Sequence, residues 1–160
     1  MQVGVIGLQG EGALMVRRLL AAGHRCVVFD TAPRLVAELG AECAFGAASL
    51  GDMANELDAP RVIVLAGPAS EFDATIGALQ PLLERDDIIA VRRRSADGGD
   101  SRRAERLATS GIHYVDINID GPLDDRRRPC CAAIGGDDAA VRCLEPVLAL
   151  IAPSAAAPSR

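Results

Sequence analysis

The sequence predicts one α/β domain built on an open, doubly wound, mostly parallel sheet. Three observations lead there. Short apolar runs alternate with segments of helical periodicity along the chain, the pattern of strand–helix–strand crossovers. Arg61-Val62-Ile63-Val64-Leu65-Ala66 and Ile88-Ile89-Ala90-Val91 are continuous apolar runs, as strands covered on both faces require. The length of 160 residues suits a single domain, since domains usually run to about 100–200 residues.

Gln2-Val3-Gly4-Val5-Ile6 reads as the first strand, and a helix follows from about Gly10 to Ala22, stopped by Gly23. Arg25–Phe29 is the second strand, closed by Asp30. Pro33 can open a helix whose apolar face is Leu35, Val36 and Leu39, ending at Gly40. A short strand near Cys43–Phe45 precedes a helix over Ser49–Leu57. The strand at Arg61–Ala66 ends at Gly67-Pro68, and a helix over Glu71–Leu83 should break or restart at Pro81. Ile88–Val91, a polar loop, a helix over Ser101–Ser110 and a strand at Ile112–Ile117 follow. Cys130–Ile134 reads as one more strand, Gly135-Gly136 as a turn, and Asp137–Ile151 as a helix kinked at Pro146. The domain is thus expected over 1–152, with 153–160 as a frayed tail.

Composition narrows the chemistry. Net charge is −5, aromatic residues make up 2%, and all 17 basic residues are arginine. The absence of lysine from these residues excludes a lysine Schiff base, general base or phosphate ligand on them. Without stacking platforms or an overall basic surface, nucleic acid is not an expected partner. No apolar stretch approaches the roughly 18 residues of a membrane span, so no membrane partner is expected. Met1-Gln2-Val3-Gly4 carries no basic region ahead of an apolar run, and the five cysteines show no paired spacing. Both point to a cytoplasmic, reducing location.

The turn after the first strand is Gly7-Leu8-Gln9-Gly10-Glu11-Gly12. A dinucleotide fingerprint here wants glycine at 7, 9 and 12: for the tight turn, for close approach of the pyrophosphate, and for helix–strand packing. Gln9 breaks the second requirement, and Glu11 suits the helix dipole while repelling a diphosphate. Asp30, 18 residues beyond Gly12, is placed to accept from ribose hydroxyls, which favours NAD; Arg34 nearby could instead meet the 2′-phosphate of NADP. The alternative for Asp30 is a strand end capping the next helix. The candidate cofactor set on this edge is therefore Gly7, Leu8, Gln9, Gly10, Glu11, Gly12, Asp30, Arg34, Gly67 and Pro68, with no cofactor at all as the other possibility.

Met1-Gln2-Val3-Gly4-Val5-Ile6-Gly7, Met15–Leu20, Gly23-His24, Val27–Asp30, Ala47–Leu50, Pro60-Arg61, Ala74-Thr75-Ile76, Asp87–Ile89, Gly111–Asp116 and Ile134–Asp137 together resemble the coenzyme domain of bacterial decarboxylating 6-phosphogluconate dehydrogenases. The resemblance runs in order along nearly the whole chain. It implies a Rossmann-type fold, a nicotinamide dinucleotide, and a following helical domain that supplies a catalytic lysine and most of a dimer contact. The 160 residues are expected to lack that domain. The family's glycine-rich asparagine–serine substrate loop would fall on Val91-Arg92-Arg93-Arg94-Ser95, where only Ser95 matches. Its serine–glycine–glycine segment would fall on Asp120-Gly121-Pro122, where only Gly121 matches.

Three functional classes stay open at this point. One is an oxidoreductase completed by another base or chain, for which His113 and Tyr114 are the ordinary candidates, though both fit packed strand positions better. His24 is expected on the surface away from the cofactor edge. A second is a non-catalytic module binding an anionic small molecule or protein partner. Its arginine loops would be Arg92, Arg93 and Arg94 with Ser95, and Arg126, Arg127 and Arg128, unless these are merely solvated charge. The third is non-redox chemistry using the loop carboxylates Asp97, Asp100, Asp120, Asp124 and Asp125. These carboxylates could act as acids, bases or metal ligands, though without a histidine beside them they are weak evidence for a metal, and the adjacent Cys130-Cys131 are not spaced for zinc. Pro146–Ile151 is a candidate uncovered apolar patch for a homodimer.

Overall fold

A computed structural model describes residues 1–93, 100–120 and 131–151. The predicted tail, Arg94, Ser95, Asp97, the 121–130 segment with its three arginines, and Cys130 lie outside them. Seven strands form one sheet in the order β3-β2-β1-β4-β5-β6-β7. These are β1 (Gln2–Ile6), β2 (Arg25–Phe29), β3 (Phe45–Gly46), β4 (Val62–Leu65), β5 (Ile88–Arg93), β6 (His113–Asp120) and β7 (Cys131–Gly136). The first six are parallel and β7 runs antiparallel to β6. The helices are α1 (Glu11–Ala21), α2 (Pro33–Ala41), α3 (Leu50–Glu56), α4 (Phe72–Leu79), α5 (Asp100–Ala108) and α6 (Asp138–Ile151).

Alternation along the strands divides the core into two layers. Val3, Val5, Val28, Val64, Ala90, Val115 and Ile117 pack with Met15, Val16 and Leu19 of α1, Leu39 of α2, and Leu144, Val147 and Ile151 of α6. Val27, Ile63, Leu65, Ile89, Val91 and Tyr114 pack with Met53 of α3, Phe72 and Ile76 of α4, and Leu107 of α5. Burial on both faces explains why β4 and β5 read as unbroken apolar runs.

Local chemistry sets the helix ends. Pro33 occupies the first turn of α2, where a missing N–H is harmless. Ser49 Oγ accepts from the Asp52 amide at 3.0 Å, while Asp52 Oδ2 accepts from the Ala48 amide at 2.8 Å. Asp137 Oδ1 accepts from the amides of Ala139 and Ala140 and so caps α6. The break expected at Pro81 is a 3₁₀ turn over Gln80–Leu82.

Four expectations need correction. The third strand lies at Phe45–Gly46, because its ladder is with Val27 and Val28. Gly135 and Gly136 are not a turn: they pair with Asp116 and Val115 and finish β7. Arg92 and Arg93 do not begin a loop, since β5 continues through them opposite Ile117 and Asn118. Nor is Pro146–Ile151 an uncovered patch, because Val147, Leu148 and Ile151 are buried inside the domain.

Cys26 is buried, whereas Cys43 and Cys143 are exposed. Burial pushes the Cys26 thiol up to about 11. At pH 8 its thiolate fraction is then about one in a thousand. Alkylation at that pH, followed by peptide mass spectrometry, should label Cys43 and Cys143 and leave Cys26 unmodified until denaturant is added. Labelling of Cys26 at the same rate as Cys43 would contradict the packing of β2 against α1.

Candidate functional site

The strand order reverses between β1 and β4, and in open parallel sheets ligands bind at the carboxyl edge beside such a reversal. A cleft of about 400 Å³ lies there. It is lined by the β1 turn (Gly7, Gln9), the end of β2 (Phe29, Asp30), the β4 turn (Gly67, Pro68) and α4 (Phe72, Thr75). The volume is that of a small-molecule site, with apolar walls and a few polar groups.

Main chain makes the floor. Gly7 has φ +90°, and a Cβ there would sit 2.4 Å from the Gly67 amide nitrogen, so the two turns touch backbone to backbone. A Cβ on Gly12 would lie 1.8 Å from the Gly7 carbonyl oxygen. Both glycines are thus required by close approach, as the fingerprint logic anticipates. Gln9 is exposed on the rim.

Asp30 ties the edge together. Its Oδ2 accepts from the Leu8 amide at 2.7 Å and its Oδ1 from the Ala32 amide at 2.8 Å. The carboxylate therefore holds the turn that leads into α2 and also faces the cleft, but it does not cap the helix itself, which has no side-chain cap. An ionised carboxylate has about four acceptor positions, so capacity remains for a ligand hydroxyl. Arg34 is not among the lining residues; it is exposed and pairs with Glu38 at 3.3 Å.

Beyond β4 the edge is ionic. Arg92 Nη1 donates to Glu11 Oε2 at the start of α1. Arg93 makes a fork with both oxygens of Asp116, at 2.6 and 2.7 Å. Both arginines are about 5% exposed, so they are not the solvent-facing charge cluster read from the sequence. Their partners, 81 and 23 residues away, offered no local signal. Glu71 and Thr75, which also line the cleft, are outside the predicted cofactor set: Thr75 falls within the family resemblance, but nothing in the spacing of either marks it as a site residue.

The candidate bases lie elsewhere. His113 opens β6 at the opposite edge, 3.6 Å from Asp86 and 3.8 Å from Asp137. Tyr114 is buried. His24 precedes β2, also at the opposite edge, with its Nδ1 3.1 Å from the amino terminus; burial, then that charge, holds its pKa below the ordinary value. Among the described residues, no group of three or more His, Cys, Asp or Glu could hold a metal ion, and no helix is long and apolar enough to cross a membrane.

Sheet order, glycine floor and cleft define a Rossmann-type α/β domain with its ligand crevice at the switch point. The sequence pattern of the NAD binding domain of 6-phosphogluconate dehydrogenase matches residues 2–157, and the chain belongs to that family. It is 34% identical over 159 residues to the NAD(+)-dependent, decarboxylating 6-phosphogluconate dehydrogenase of Haloferax volcanii, covering 95% of this chain and 50% of that one. It is 31% identical over 163 residues to the NADP(+)-dependent enzyme of Bacillus subtilis, covering 94% of this chain and 33% of that one. In fold it is similar to 3-hydroxyisobutyrate dehydrogenase of Mycobacterium tuberculosis, with TM-score 0.82 and 20% identity over 94% of this chain and 52% of that one. The chain thus spans half or less of these curated relatives.

Proposed function

We propose that this domain holds a nicotinamide dinucleotide, NAD in preference to NADP, and does not by itself oxidise 6-phosphogluconate. The observation that carries the reading is the cleft at the sheet's switch point with Asp30 on its wall. Phe29, Leu50 and Phe72 give that cleft apolar walls suited to a planar heterocycle. Asp30 would accept from the adjoining ribose and disfavour a 2′-phosphate by charge repulsion. The Gly7 and Gly12 approaches fix, backbone against backbone, the turn that borders the cleft.

When bound, the nicotinamide accepts or donates a hydride. The described residues of this edge offer no histidine, tyrosine or lysine to move the substrate's hydroxyl proton, which supports a cofactor-holding rather than a complete catalytic role.

Calorimetric titration with NAD, NADP and 6-phosphogluconate tests the reading. NAD should bind more tightly than NADP, and the sugar acid should not bind alone. Asp30→Ala should lower NAD affinity by about tenfold, near 1.4 kcal/mol, while changing NADP affinity less. That difference separates ribose recognition from simple loosening of the Leu8–Ala32 turns, which would weaken both equally. A folded protein that binds neither dinucleotide overturns the proposal. So does ordinary enzymatic turnover of 6-phosphogluconate by the 160 residues alone.

A further inference from the structure

Arg92 carries a feature that a static ion pair does not explain. Its side chain is 4% exposed, and Nη1 is bound by Glu11. Its Nε and Nη2 are buried and have no hydrogen-bond partner among the described residues. Unmet buried donors on a charged group are strongly unfavourable, so such groups mark a place where an acceptor is received. The guanidinium lies against the first residue of α1, an eleven-residue helix that begins at Gly10 without any side-chain cap. A helix start without a side-chain cap and a buried guanidinium fork both select oxyanions, and phosphoryl groups best of all.

Glu11 fits as the present occupant of that site. Its carboxylate supplies the negative charge that the helix start and Arg92 attract, yet it satisfies one of the guanidinium's nitrogens and leaves two unmet. A phosphoryl group offers three oxygens and up to two charges, enough to meet the remaining donors.

We propose that Arg92 is an oxyanion-binding residue that receives the diphosphate of the dinucleotide, and that Glu11 is its displaceable internal counter-ion. Diphosphate oxygens take Nε and Nη2 of Arg92, and the Glu11 carboxylate moves out to solvent. This rests on the dinucleotide reading above for the identity of the diphosphate's carrier. It also accounts for how a helix start bearing a glutamate can serve a diphosphate: the arginine cancels the charge while the site is empty and changes partner when it fills.

The test titrates two separate probes, NAD and inorganic pyrophosphate, into the wild-type chain and the variants Glu11→Gln, Arg92→Leu and Glu11→Gln/Arg92→Leu. Thermal melts confirm that each is folded at the titration temperature. The double variant removes both charges and so serves as a reference without an unpaired buried ion. Glu11→Gln should tighten both probes by about five- to tenfold at low salt, because the competing carboxylate is gone. Arg92→Leu and the double variant should weaken both by tenfold or more. Equal NAD affinity in all four proteins overturns the role of Arg92 while leaving the dinucleotide reading intact. Pyrophosphate binding with these shifts, but no NAD binding, upholds the oxyanion site and overturns the dinucleotide reading. Binding of neither probe by any folded variant overturns both.

Discussion

Alanine at position 12 is expected to destabilise the domain by roughly 3 kcal/mol, the upper range for forcing an atom into a packed interior. The added Cβ would lie 1.8 Å from the Gly7 carbonyl oxygen and 2.9 Å from its carbon. Both are main-chain atoms at the end of β1, so no side-chain rotation relieves the contact and the β1–α1 turn must open. The same substitution at Gly40 in α2 makes an informative control. A Cβ there meets nothing within 4 Å, and alanine should stabilise by about 0.5–1 kcal/mol through helix propensity and the unfolded chain. Urea unfolding midpoints for the two variants should therefore move in opposite directions. A Gly12→Ala protein as stable as the parent would refute the turn geometry from which the cleft is built.

Asp87→Ala should be the most damaging change at the opposite edge, lowering stability by about 3–5 kcal/mol, the cost of breaking a buried charged pair. Asp87 is wholly buried at the entrance to β5. Its Oδ1 accepts from the Arg61 amide at 2.7 Å; its Oδ2 accepts from the Glu84 amide at 2.8 Å and from Arg61 Nη1 at 3.1 Å. Truncation strands three donors together and unties β4 from β5 where both begin. Arg61 would keep its Nε bond to the Ala54 carbonyl, so the guanidinium stays in place with part of its charge unmet. Denaturant unfolding measures the loss; a change below about 1 kcal/mol would show that water or Glu84 substitutes for the carboxylate.

The order of elements was legible because burial on both faces leaves a direct trace in composition, as in Val62–Leu65 and Ile88–Val91. Glycines 7 and 12 were legible for a similar reason: contact between backbones admits only one residue type. The ion pairs were not. Arg92 and Arg93 look like the start of a solvated loop, and only the ladder with Ile117 and Asn118 shows that β5 includes them. Their carboxylates come from α1 and β6, and no periodicity links residues that the fold alone brings together. Gly135-Gly136 misled in the opposite sense. A diglycine reads as a turn, but Gly136, at φ +143°, tolerates a close approach to the Tyr114 carbonyl that a Cβ would block at 2.7 Å. Asp30 was placed correctly on the edge, yet its bond to the Leu8 amide could not be read from sequence, because Leu8 lies 22 residues away.

The contact between Gly7 and Gly67 carries a consequence for how this family can diversify. A cavity founded on peptide groups keeps its shape whichever side chains surround it, so Gln9, Glu71 and Thr75 are free to vary without disturbing the strands beneath. Recognition can drift, or be redesigned, at the rim, while the foundation and the ancestry written into it persist.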